Sequence, residues 1–160
     1  MRRNIMNLDT TTPQTFSAFF NRTGYRVDRD ADDIERFEPT LLVTNVKDGN
    51  GRMITDHLWF NYSADFQALG QLKSGELLKF TATPQTYMKG RPGEHHKDFQ
   101  LTDPTDIALV RKADHKPVPD TKDALIGWIM KTNEKFYRIS GRMIDPDMLA
   151  AYEEWLAGQE

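Results

Sequence analysis

The run Asp48-Gly49-Asn50-Gly51 constrains this chain more than any other feature, because of what flanks it. Before it stand Leu41-Leu42-Val43-Thr44-Asn45-Val46-Lys47, and after it Arg52-Met53-Ile54-Thr55-Asp56-His57-Leu58-Trp59-Phe60. Asp-Gly and Asn-Gly steps supply residues that tolerate positive φ, which a tight β-turn requires. The flanks are rich in β-branched and aromatic residues that suit a pleated, half-buried surface. The spacing therefore predicts a β-hairpin over 41–60. In its second strand Met53, Thr55, His57 and Trp59 share one face, and Ile54, Asp56, Leu58 and Phe60 share the other. Neither face is purely apolar, so alternation leaves open which one packs inward.

The rest of the chain is punctuated in a compatible way. Residues 63–69 read as a short helix capped by Ser63 and stopped by Gly70. Lys73-Ser74-Gly75 then turns the chain into a strand whose Leu78, Phe80 and Ala82 face a core. Pro84 demands an edge or a bulge there, residues 88–97 read as a basic loop, and 98–102 and 105–111 close the sheet around Pro104. Upstream, Thr12-Pro13 opens a predicted short helix over 13–20, with Phe16, Phe19 and Phe20 on one face. Residues 24–29 alternate weakly as an edge strand, and 30–36 read as an acidic loop or a single helical turn. Beyond His115-Lys116-Pro117-Val118-Pro119 the period lengthens to that of helices. One helix is capped by Asp120 and carries Leu125, Trp128, Ile129 and Thr132; the last starts at Asp145-Pro146 and carries Met148, Leu149, Tyr152, Trp155 and Leu156. The expected organisation is an N-terminal segment with a short helix (1–23), a β domain (24–112), a linker (113–119) and a helical C-terminal extension (120–160).

Charge and composition narrow the function. The net charge is −3, with six basic and seven acidic groups in 1–40, nine and eight in 41–112, and six and nine in 113–160. A polyphosphate gains no general attraction from such a chain, so a nucleic-acid site has to be a local patch. The absence of cysteine excludes disulfides and thiolate metal sites and fits a reducing compartment. No apolar run spans a bilayer, and the basic start lacks the apolar stretch of a signal peptide, so the chain reads as cytoplasmic and free of membrane partners.

Counted from 24–29, the order is strand, hairpin, short helix, strand, loop, strand. That order resembles the OB-fold, a five-stranded partly open barrel with a helix between its third and fourth strands. The run Leu72-x-x-Gly75-x-x-Leu78-x-Phe80-x-Ala82 also resembles the strand entry of OB-fold single-stranded DNA-binding modules. The chain departs from that pattern in its poor first strand and acidic 30–38 loop. Its terse build resembles the small proteins of phages and plasmids. The fold class expected is mainly β with α: a small five-stranded OB-like barrel followed by a two-helix extension. The resemblance implies a ligand lying across strands two and three and clasped by the loops 1–2 and 4–5. In this chain that means Lys47, Arg52, His57 and Trp59 on the hairpin, with Tyr87, Lys89, Arg91, His95, His96 and Lys97 at the later loop. Arg and Lys neutralise phosphates, and an exposed aromatic stacks on a base. Each of these has a plainer use: a tryptophan also fills cores, a basic loop is also a solvated one, and His57 also serves as a structural histidine beside Asp56.

Catalytic signatures are missing from the sequence: no GxSxG elbow, P-loop, HExxH or GxGxxG occurs. Glu94-His95-His96-Lys97-Asp98 offers imidazole and carboxylate groups in one loop, but without the rigid support that metal sites use, and no cofactor is expected. A binding protein, not an enzyme, is the reading. A second reading, from a different class, is a protein-interaction module whose barrel is a scaffold, acting on a host complex or on itself. There the acidic C-terminal helix, with Tyr152 and Trp155 in its apolar stripe, would dock in a groove.

Overall fold

The computed structural model describes residues 9–89 and 96–159, and side chains over 9–85 and 100–159. The chain is mainly β with added helices, in the order β1 (Gln14–Arg29), β2 (Glu35–Asp48), β3 (Met53–Asn61), α1 (Ala64–Gln67), β4 (Leu77–Ala82), β5 (Pro84–Lys89), β6 (His96–Leu101), β7 (Thr105–Leu109), α2 (Lys122–Thr132), α3 (Glu134–Ser140) and α4 (Pro146–Ala157). Five strands pair in the order β3-β2-β1-β4-β7, and β5 and β6 form a separate two-stranded ribbon. Three consecutive strands followed by a fourth that returns beside the first make a Greek key. The pairings end on β3 and β7, which are the edges of the five-stranded sheet.

The residues divide into two compact units, to both of which β1 and β2 contribute. The first comprises Met1–Asn21, Leu42–Phe60 and Leu72–Asp114; the second comprises Arg22–Leu41, Asn61–Gln71 and His115–Glu160. In the first unit the core lies on one sheet face. Phe16, Ala18 and Phe20 of β1, Ile54, Leu58 and Phe60 of β3, and Leu78, Phe80 and Ala82 of β4 are all buried. Phe80 organises this face, with its ring centroid 6.0 Å from that of Phe16 and 5.6 Å from that of Phe60. Burial of each such side chain contributes about 1.5–3 kcal/mol. The β2–β3 turn forms as its sequence requires. Gly51 N–H donates to the Asp48 carbonyl (3.0 Å), the Asp48 carboxylate accepts from the N–H groups of Asn50 and Arg52, and Gly51 takes φ +79°. In β2, Asn45 at φ +51° inserts a kink, so that Val43 and Val46, three apart, both turn inward.

The second unit is built around α2, in which every residue from Ala124 to Met130 is buried. Thr121 caps it, its hydroxyl accepting from the Ala124 N–H, where Asp120 was the expected cap. A Cβ added to Gly127 would lie 1.9 Å from the Met148 carbonyl oxygen, so α4 rests directly on the α2 backbone. Around Ile126 and Met130, Tyr25 and Tyr137 complete a core cluster, against which Phe37, Ile144, Met148 and Leu149 pack. Tyr25 donates its hydroxyl to the Met143 carbonyl (2.6 Å), and the Arg142 guanidinium stands 4.3 Å from its ring. Helix α4 begins as expected, with the Asp145 carboxylate accepting from Asp147 N–H (2.8 Å) and Pro146 in the first turn.

Several expectations are corrected. Residues 13–20 form the start of β1 and not a helix: Gln14–Phe19 pair antiparallel with Ala82–Leu77 of β4, and this non-local ladder overrides the three-phenylalanine helical stripe. The first strand thus begins ten residues before 24. Residues 88–97 are not simply a loop, since β5 and β6 pair from Pro84↔Leu101 to Lys89↔His96. The C-terminal region holds three helices, not two, because α3 intervenes and ends where Gly141 adopts φ +76°. Ser63 stands at the start of α1 without a capping hydrogen bond from its side chain. Finally, α2 is buried all round, not along a stripe, whereas α4 has no fully buried residue.

Candidate nucleic-acid interface

The first unit leaves the second face of its sheet toward solvent, and the hairpin residues of interest lie there. On β3, Ile54, Leu58 and Phe60 take the core side, which leaves Met53, His57 and Trp59 outward. Trp59 is 46% exposed, well above what a core tryptophan shows. His57 is also exposed, and its Nδ1 lies 2.8 Å from an Asp56 carboxylate oxygen. Neighbouring strand residues ordinarily point to opposite faces. Here the alternation slips at this point, because Thr55 is buried while Asp56 and His57 are both exposed. The contact is a solvated polar pair, with both side chains more than half exposed, not a sequestered acid–base couple. Arg52 is exposed at the turn, and Lys47 is half-buried near the end of β2.

The later loop contributes less that can be described. Tyr87 and Lys89 fall in β5 and His96 and Lys97 in β6, with backbone pairs Tyr87↔Asp98, Met88↔Lys97 and Lys89↔His96. Arg91, Glu94 and His95 lie outside the described residues. Among the described residues, no group of three or more His, Cys, Asp or Glu side chains is placed to hold a metal ion.

Sequence reasoning missed the outward side of β1. With Phe16, Ala18 and Phe20 turned inward, Thr15, Ser17 and Phe19 face out. The register with β4 sets Thr15 opposite Thr81, Ser17 opposite Lys79 and Phe19 opposite Leu77. On the other side, Gly49 lies against Thr15, a Cβ on it being 3.8 Å from the Thr15 carbonyl oxygen. That approach brings the end of β2, with Lys47, alongside the 15–17 stretch of β1. The signal was present as the alternation Phe16-Ala18-Phe20, but Phe19 beside it made an equally good helical stripe.

The second unit holds Tyr152 and Trp155. Both are half-buried on α4, with rings stacked at 6.4 Å and 24°. Tyr152 also packs over Gly127, while Trp155 lines an open groove of about 600 Å³ with Thr121, Lys122, Asp123, Ala151 and Glu154. Burial pushes the Tyr62 hydroxyl above its ordinary range and the Tyr137 hydroxyl up to about 12. Neither belongs to the outer sheet face. No helix among the described residues is long and apolar enough to cross a membrane. No family model matches this chain, and neither does any curated protein or solved structure.

Proposed function

We propose that the chain is a non-enzymatic binding protein that takes single-stranded nucleic acid on the outer face of an OB-like, partly open barrel. The observation that carries this reading is the exposed Trp59 on β3 of a Greek-key sheet. Taken as the five strands of such a barrel, β1, β2, β3, β4 and β7 follow the order β3-β2-β1-β4-β7, with α1 between the third and fourth. Ligands of that architecture lie across strands two and three. Trp59 offers a stacking surface there, with His57 beside it and Arg52 and Lys47 at the turn end for phosphate oxygens. The β5–β6 ribbon occupies the connection between the fourth and fifth strands, the second ligand-clasping loop of the architecture, and brings Lys89, His96 and Lys97 to it. The half-burial of Tyr152 and Trp155 within their own unit weighs against α4 as the principal docking face.

Fluorescence anisotropy with labelled single-stranded oligonucleotides at two salt concentrations tests the proposal. Binding is expected at low salt and weakens as salt rises, because phosphate neutralisation releases counterions. Trp59→Ala is expected to lose about 1–3 kcal/mol of affinity. No binding at low salt would sink the reading, and so would unchanged affinity in Trp59→Ala combined with Lys89→Ala and Arg91→Ala.

A further inference from the structure

We infer that the nucleic-acid path does not stop at the β2–β3 hairpin but crosses β1 onto β4, with Lys79 and Lys47 as phosphate ligands and Phe19 as a second stacking surface. This rests on the reading above and specifies where its ligand runs. Ser17 of β1 has Lys79 directly opposite on β4, and the end of β2 that carries Lys47 runs along the other side of this stretch of β1, so two cations flank it. Neither lysine has a hydrogen-bond or ion-pair partner among the described residues. Two residues from Ser17 on the same face, Phe19 is half-exposed against Leu77.

Strand spacing gives the path its scale. Neighbouring strands lie about 4.8 Å apart, so β3 to β4 spans three steps, roughly 14 Å across the sheet. A single strand laid transversely at the turn end runs from Met53, which faces Lys47, across β1 near Ser17 to Lys79; Trp59 stands six residues further along β3, roughly 20 Å away, and Phe19 lies two residues from Ser17 in that same direction. Small side chains at Thr15, Ser17 and Thr81 leave the backbone of the ligand room to approach. Aromatic surfaces beside a basic strip are what binding without base preference needs, since every base presents a π-face.

The test uses the full chain, oligothymidylates of increasing length, and the variants Lys79→Gln and Phe19→Leu, with Lys135→Gln as a cation control in the second unit. Lys79→Gln should reduce the salt dependence of log affinity by about 0.7, the value of one single-strand phosphate contact. The shortest oligonucleotide that reaches full affinity should become shorter as well. Phe19→Leu keeps the apolar contact with Leu77 but removes the ring, and should weaken binding by about 5- to 150-fold. Lys135→Gln should change neither slope nor affinity. If the wild type binds while Lys79→Gln keeps its slope and length dependence, the extension onto β4 is wrong and the hairpin reading stands. If the wild type binds no oligonucleotide at low salt, both fail. Lys79 is exposed, so its variant reports on binding even if Phe19→Leu proves unstable.

Discussion

The two units bury their apolar residues by different geometries. In the first, a sheet hides one face: Phe16, Ala18 and Phe20 go in while Thr15, Ser17 and Phe19 stay toward solvent. In the second, a helix is surrounded: seven consecutive residues of α2 are buried, and α4 sits close enough to leave no space for a Cβ at Gly127. A sheet packed on one side keeps a second, periodic surface available for a ligand. A helix packed on all sides has no such surface, and its contribution is stability. Strand β1 shows both regimes along its length, alternating over 14–20 and then burying Thr23, Gly24 and Tyr25 in succession where it enters the second unit.

Substitutions in each unit put this contrast under strain. The largest effect is expected for Phe80→Ala, which removes the ring that Phe16 and Phe60 pack on. Denaturant unfolding should show a loss of about 3–5 kcal/mol, and a loss under about 1 kcal/mol would mean that the one-faced core does not rest on Phe80. Gly127→Ala comes next. Its Cβ has to displace the Met148 carbonyl, an overpacking cost of about 3 kcal/mol, against which better helix propensity returns about 1 kcal/mol. Unaltered stability would show that α4 is held less tightly on α2 than the contact implies.

The smallest effect is one of pH. Burial raises the Tyr137 hydroxyl from 10.0 to about 12, opposed by the nearby Arg142 guanidinium. A group whose folded pKa is raised stabilises fully below its unfolded value and loses that contribution as pH climbs through the folded one. Stability of the second unit should therefore fall between about pH 10 and 12 and fall less in Tyr137→Phe, as circular dichroism against pH would record. Equal loss in both proteins would break the assignment.

Local chemistry was legible wherever it acts within a few residues. The 48–51 turn, the inward trio Leu78, Phe80 and Ala82, and the Asp145-Pro146 start of α4 depend on positive-φ tolerance, strict alternation and capping, all of which are short-range. The 13–20 segment failed because its three phenylalanines satisfy both a period of two and a helical stripe, and pairing with β4, 58 to 68 residues away, chose between them. For the same reason the candidate site was half legible: Trp59 and His57 could be named from the hairpin, but Phe19 and Lys79 could not. Within the β5–β6 ribbon, residues 88–97 look like a loop in the sequence because a basic, glycine-containing stretch carries no apolar alternation, and the strand ends there are defined by each other.

The sequence by itself determined that this chain would be mainly β at its centre and helical at its end, where its turns fall, and that any attraction for polyanions has to be local. Only the tertiary structure decided which hairpin face is outward. Both faces mix apolar and polar residues, and the core that claims Ile54, Leu58 and Phe60 is assembled from β1 and β4. It likewise decided that Ser17 stands opposite Lys79, because cross-strand neighbours are set by register, which is a property of paired strands and not of either one alone.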